Sequence, residues 1–552
     1  GCGTINAGRM TLTTGKPQLN ADGSLAGYQV ERGLVRIEGG GLNGDPRHDT
    51  EYVDVLARAV EVNAGIWARE EITVVAGRNQ ISADGKTITA LAGSDGGAPA
   101  MGIDMGQMGS MYSGHIRMVG TEAGVGVRNQ GGHLQAGKTL TVSSGGKLSW
   151  QLASAEPVTQ AGGDITLTAR DDVEQQGRLF SGGQLSVQSW QGEIKQSGTL
   201  AAADNVTLRA GKGIQSSGNL LAGSDANSTL VRPADLTLES QGDVRASGNL
   251  MSQKKVSVTG RSVDVSQSRL AAAQAQLTAR GGDVLLQQAK VDSEVLTVDS
   301  QRHVFAQQAE IRAGRWQITA DSLFNHGGIW SQVGAGESRF ALNGTLDNTD
   351  GSIEASQLSL NTATLNNLRG RIVALDNSAQ HWRVSGLLSN QYGVLGSNGS
   401  LQLDAARLDN LQGTLQSQSD LTLLTQQDIN NDRGKLLAGG NLTLNSQGAL
   451  SNQDGEIRGQ NLQLTARQSI DNQQGLMEAD EVLDVSTDGN WDNRGGSAVG
   501  VQQAKVSAGS LDNTAGKMQS GGDLTLNTAG NVSNQAGVLT AQQDLNWQGS
   551  AL

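Results

Sequence analysis

The sequence predicts an all-β chain wound into a parallel, right-handed β-helix, a solenoid of about 20 residues per coil that extends as an elongated rod. Three observations carry this expectation. An apolar-x-apolar pair such as Ile165-Thr-Leu167 or Leu185-Ser-Val187 recurs from residue 165 to the C-terminus. Each repeat holds three short runs in which apolar and polar residues alternate, the period of a strand with one buried face. Glycine and asparagine separate those runs, supplying turns that need a positive φ. Three strands in about twenty residues leave no room for a helix. A leucine-rich repeat of the same period needs a denser leucine pattern and a helical or 3₁₀ segment.

Taken in order, residues 1–131 are the least regular part. They hold strand-like runs at Tyr28–Glu38, Val53–Val62 and Glu71–Ala76, and the glycine-rich run Gly120–Asn129. Residues 132–320 form a first repeat subtype. The apolar pairs begin at Ile165, Leu185, Val206, Leu236, Val256, Ala275, Leu296 and Trp316, and a second strand reads Val173-x-Gln175, Ile194-x-Gln196 and Ile214-x-Ser216. Residues 321–552 form a second subtype. Its pairs are expected to begin at Phe340, Leu358, Trp382, Leu401, Leu421, Leu442, Leu462, Leu483, Ala504, Leu524 and Leu545. Here the second strand carries apolar-x-Asn with glycine three residues later, at Asn325, Asn348, Asn367, Asn390, Asn410, Asn431, Asn452, Asn472, Asn493, Asn513 and Asn534. A surface turn would admit Asp, Ser or Gly as often. The strictness instead predicts an amide ladder in which each side chain bonds to the next coil, as in stacked cross-β structures.

Composition agrees. The 552 residues include 76 glycines but only 5 prolines and 36% hydrophobic residues, a low fraction that suits a thin solenoid. A formal charge of −13 and no basic run longer than Lys254-Lys255 argue against a nucleic-acid groove. No apolar stretch reaches the length of a membrane span, and residues 1–30 lack the pattern of a signal peptide. The lone Cys2 forms no internal disulfide.

Gly1–Asn6 (GCGTIN), Gly33–Gly44 (GLVRIEGGGLNG), Ala59–Trp67 (AVEVNAGIW) and Tyr112–Gly131 resemble the secretion domain of two-partner-secretion exoproteins. That family includes filamentous haemagglutinin and the contact-dependent growth-inhibition exoproteins of Gram-negative bacteria. The downstream repeats resemble the family's haemagglutinin repeats, so the resemblance spans essentially the whole chain. It implies an exported cell-surface protein and, as partners, a two-partner outer-membrane transporter and a receptor on a host or neighbouring bacterium. The family's Asn-Pro-Asn-Gly-Ile motif is absent, and Cys2 resembles the second cysteine of its pair. The chain is therefore expected to begin inside the secretion domain. Repeats continue to residue 545, so no toxin module is expected within the chain, and no Arg-Gly-Asp occurs.

Candidates for chemistry are few. His48, His115, His133, His303, His326 and His381 lack metal-ligand spacing. Glu70-Glu71, Asp171-Asp172 and Asp480-Glu481 suggest paired carboxylates for sugar cleavage, but adjacent strand residues point to opposite faces. Gly39–Asp45 resembles a calcium-binding nonapeptide only once, where such sites need tandem copies. Met101, Met105, Met108 and Met111 suggest Cu(I) less well than packing of a glycine-rich loop. Trp316, Trp382 and Trp547 are expected on inward positions, and Trp491 on the apolar site of the second strand. Gly223–Asp235, where the repeat stretches, is expected to bulge from one corner.

The expected function is that of a monomeric shaft that adheres or presents a distal receptor-binding or toxin element. It needs no metal or cofactor and has no catalytic role. The alternatives are the stalk of a growth-inhibition toxin and, from another class, a β-helical polysaccharide-degrading enzyme.

Overall fold

The computed structural model describes residues 7–43, 49–93, 96–151 and 159–550, and every regular element in them is a β-strand. The chain divides into two compact units, Gly1–Gly282 and Asp283–Leu552. Each is wound as a parallel β-solenoid with about 21 residues per turn.

Each coil has three faces. In one, Leu442–Ser446 lies on the first face, Leu450–Ser451 on the second and Glu456–Gly459 on the third. Their partners are the equivalent strands of the next coil, in parallel register: Leu442 opposite Leu462, Leu450 opposite Ile470 and Glu456 opposite Leu476. Such a strand finds its backbone partners on the coils before and after it, so a coil lacks stability without neighbours. Alternation then sends Leu442, Leu444, Leu450 and Ile457 into the interior, where all four are buried.

The register corrects two expected positions. Trp316 stands level with Ser338, since Gln317 pairs with Arg339, and Phe340 stands level with Leu360. Leu358 is followed by Gln380, which precedes Leu401, while Trp382 aligns with Leu360 and Leu403. Phe340 and Trp382 are therefore second, not first, members of their pairs. The first positions hold Ser338 and Gln380, both buried. Each polar group is satisfied from the backbone, Ser338 Oγ accepting from the Trp316 N–H at 3.2 Å and Gln380 Oε1 from the Leu358 N–H at 2.9 Å. The large rings fill the interior beside them: Trp316, Trp330 and Phe340 meet with centroids 5.4–5.7 Å apart.

The corner after the asparagine also departs from expectation. Positive φ falls not on the glycine but on the residue before it: Gln412 at 52°, Arg433 at 53°, Asp454 at 52° and Gln474 at 56°. The glycine that follows serves close approach. A Cβ on Gly413 would lie 2.1 Å from the carbonyl oxygen of Asn390 in the previous coil and 2.5 Å from Oδ1 of Asn410. Any side chain there would push backbone apart.

In the first unit, Lys16–Leu19, Leu25–Val30, Asn79–Ser82 and Ile88–Ala90 form a four-stranded antiparallel sheet. Its Val30 and Ile81 pack on Leu56 and Val75, which face outward from the first face. This explains why Val53–Ala57 and Ile72–Ala76 are buried along their whole length, Asp54 and Thr73 included: strands covered on both sides have no solvent face. The Gly223–Asp235 segment folds back instead of bulging. A bridge joins Ser224 to Leu230, and Leu230 packs over Phe180, Ala201 and Leu221 on the outside of the third face.

Candidate functional site

The most regular polar feature is the asparagine file at the corner between second and third faces. Asn325 to Asn513 are fully buried, and Asn534, on the last such corner, is partly exposed. Nδ2 of each donates to Oδ1 of the next, at 2.7–2.8 Å, from Asn325 through Asn348, Asn367, Asn390, Asn410 and Asn431. The chain of bonds continues through Asn452, Asn472, Asn493 and Asn513 to Asn534. From Asn325 to Asn513 each amide also donates to its own turn, as Asn410 does to the Gly413 carbonyl at 3.1 Å. The file runs one way, so the Oδ1 of Asn325 has no asparagine behind it. Trp330 Nε1 donates to it at 2.9 Å. Sequence reading missed that cap; its signal is a tryptophan five residues after the first asparagine.

A second row, also missed, precedes the file. Asp347, Asn366, Asp409, Asn430, Asp471, Asp492 and Asp512 each accept from the N–H two residues ahead, at 2.8–3.2 Å. These Asx turns bend the chain into the corner. In the first unit the position of the asparagine is held by Asn129, Trp150, Gln175, Gln196 and Ser216 in register. Gln196 and Ser216 bond at 2.6 Å.

Side chains with chemical potential are dispersed. His115 Nδ1 meets Thr139 Oγ1 at 2.7 Å, His133 packs on Tyr112, and His303 lies edge-on to Phe305 and Phe324. His326 and His381 pair with Asp347 at 2.8 Å and Asp404 at 2.6 Å. His48, Cys2, Gly44 and Asp45 lie outside the described residues. Among the described residues no three His, Cys, Asp or Glu side chains converge on a point that would hold a metal. Asp171 and Asp172 accept separately, from Gln191 Nε2 and from the Glu193 N–H. Glu481 holds Gln460 and Asn461 while Asp480 faces solvent. Met105 and Met111 enter the core whereas Met108 is 80% exposed, so the methionines do not converge. Trp316, Trp382 and Trp491 are buried; Trp547, level with Leu526, is half-buried on the last described coil.

The first unit holds the buried charges. Asp54 faces the Arg9 guanidinium at 2.7 Å and Thr11 Oγ1 at 3.1 Å. Burial nonetheless keeps its carboxyl above the usual carboxylate range, with Arg9 and Thr11 opposing the shift. Arg58 and Glu122, both largely buried, pair at 2.9 Å.

A solenoid of this kind, with uniform coils, a buried amide file and a sheet-covered front, defines a repeat-built shaft protein. Residues 1–150 match the TPS secretion domain, and 158–189, 181–248, 233–301, 313–433, 426–474 and 482–549 match the haemagglutinin repeat. The chain belongs to the two-partner-secretion exoproteins of the filamentous haemagglutinin and CdiA family, which are secreted and displayed on the bacterial surface. It is 30% identical over 375 residues to Toxin CdiA of Yersinia pestis, covering 64% of this chain and 10% of that one. It is 30% identical over 453 residues to the 16S rRNA endonuclease CdiA of Enterobacter cloacae subsp. cloacae, covering 78% and 13%. A tRNA nuclease CdiA of Escherichia coli strain NC101 is 40% identical over 201 residues, covering 36% and 6%. The chain thus spans about a tenth of the length of these relatives. No solved structure matches.

Proposed function

We propose that this chain is the secretion domain and the adjoining shaft of a surface exoprotein that presents a distal receptor-binding or toxin element to other cells. Its partners are a two-partner outer-membrane transporter and a receptor on a neighbouring bacterium or host cell. The observation that carries this reading is the register itself, coil after coil, with polar side chains engaged in bonds between coils. Between adhesin and growth-inhibition stalk, the relatives' names favour the stalk, since they are called toxins and nucleases. Among the paired acids, Asp171 and Asp172 engage separate partners, and Glu481 binds Gln460 and Asn461 while Asp480 faces solvent, so neither pair supports a catalytic role. We assign residues 1–131 to the secretion domain, 132–320 to the first repeat subtype and 321–552 to the second. The asparagines serve as a structural ladder.

Export tests the reading. The chain, joined in register behind a cleavable periplasmic signal and the front of a relative's secretion domain, is produced in cells with and without that relative's two-partner transporter. Release to the cell exterior is expected only with the transporter. Equal release in both strains, or retention in the periplasm of both, overturns it.

A further inference from the structure

Trp190 stands apart from the other tryptophans. Trp150, Trp316, Trp330, Trp382 and Trp491 are buried, and Trp67 stacks on Tyr112 at 5.5 Å. Trp190 keeps 65% of its surface exposed. It sits where the chain turns from Leu185–Ser189 on the first face to Glu193–Gln196 on the second. The corner of the next coil carries Gly211, and a Cβ there would lie 2.4 Å from the Trp190 carbonyl oxygen. Backbone approach therefore excludes a side chain from that place, and the indole stays uncovered.

Beside the indole, Gln188, Arg209 and Glu239 occupy consecutive rungs of the first face, in register. Rungs are about 4.8 Å apart. Arg209 Nε lies 3.5 Å from the Glu239 carboxylate, an exposed pair. With Gln241 these groups rim a shallow dish of 220 Å³ walled by Trp190. Pockets that enclose a drug-sized ligand hold about 300–1,000 Å³, so the dish suits one ring of a chain that continues into solvent.

The chemistry of the lining selects that ring. An indole offers a flat apolar surface with a negative face, which suits a row of C–H bonds. Guanidinium, carboxylate and amide groups each present paired donors or acceptors in one plane, which suits neighbouring hydroxyls. An apolar side chain laid here would cover the Gln188 and Gln241 amides without offering either a partner, and a sulfate or carboxylate would face Glu239. A pyranose has both features, a C–H face and a hydroxyl rim. We propose that the Trp190 dish binds a single neutral pyranose residue of a glycan, an activity independent of any distal element the shaft presents.

The test uses the full chain with lactose, maltotriose, cellotriose and triacetylchitotriose at millimolar concentration. At least one is expected to protect Trp190 fluorescence from acrylamide and to give a binding isotherm. Trp190→Ala should remove the most quenchable component, the saccharide protection and the binding, while leaving the circular dichroism and melting temperature unchanged. Arg209→Ala should weaken affinity at least about tenfold, the effect of one lost charge-assisted hydrogen bond. The proposal is overturned if none of the four protects the wild-type indole, or if Trp190→Ala binds as well as wild type.

Discussion

At the scale of single residues, the asparagine file shows how a polar side chain becomes an interior one. Asn452 accepts from Asn431 and donates to Asn472, both at 2.7 Å, with no solvent contact. Replacing it by leucine leaves the Asn472 oxygen without its partner, at about 1–3 kcal/mol for the orphaned group, and takes from the Asn431 amide its shortest bond, leaving it the Gly434 and Glu456 carbonyls at 3.3 Å. Gln453, next in the chain, is exposed and bonds to Asp471 at the surface. Asn452→Leu is therefore expected to lower hydrogen-exchange protection around Leu421 and Leu462 far more than Gln453→Leu. The damage should centre on adjacent coils, because stability in a solenoid is a sum over repeats and their neighbours. Equal loss in both variants, or none in either, would show that the amides do not act as a ladder. The spacing of the asparagines was legible in the sequence; the direction of the file was not. Which end needs a cap depends on which way Nδ2 points, and only the packed corner settles that, with Trp330 at the end left open.

At the scale of elements, the Gly223–Asp235 segment works as a cover. Leu230 lies over Phe180 and Leu221, with Met251 packed at the edge of the same cluster, and Arg178 holds the segment through the Ala226 carbonyl. Phe180, Ala201, Leu221 and Met251 follow one another in register on the outside of the third face. Uncovered, they would form a continuous apolar stripe on the surface. Leu230→Ser should destabilise the first unit by about 1 kcal/mol, the value of a partly buried aliphatic side chain. It should also speed peroxide oxidation of Met251, measured by peptide mass spectrometry. Val231→Ser is the control, since Val231 is 55% exposed. Unchanged Met251 oxidation in Leu230→Ser would mean the segment covers nothing. Sequence reading found this insertion by its broken period, and periodicity does not say whether an insertion leaves the surface or lies down on it.

At the scale of the molecule, acidic groups set how the chain responds to pH. Burial pushes Asp104 and Asp404 up, but hydrogen bonds from Arg128 and Gln130, and from Gln402 and His381, hold them below the ordinary range. Asp243 and Asp512 are held low by Arg261 and Thr514. A depressed carboxyl adds stability above its unfolded pKa of about 3.9, and that stability is lost as pH falls through the lower folded value. Asp54 has the opposite sign. Its stabilising form is the protonated one, present below the unfolded value and lost as pH rises through the raised folded value. Melting temperature should therefore fall on acidification overall, while the advantage of Asp54→Asn over wild type is largest at pH 7 and shrinks toward pH 4. An advantage that grows on acidification would mean that Arg9 more than offsets the burial of the anion.

What the sequence determined by itself is what repetition can encode: the coil, its three strands, the interior leucines, the place of the asparagines and the family. A pattern that recurs every coil is read by counting. What the tertiary structure alone decided is how one coil meets the next. Phe340 and Trp382 looked like first members of their pairs because a shift of two residues keeps a side chain pointing inward. The difference appears only when Ser338 and Gln380 are seen level with Trp316 and Leu358. The glycines after the asparagines likewise read as turn residues. Their necessity comes from the previous coil's carbonyl 2.1–2.3 Å from where a Cβ would stand at Gly413 and Gly455, a contact between residues far apart in sequence. Trp190 is exposed for the same reason, since the neighbouring coil brings a glycine to its side.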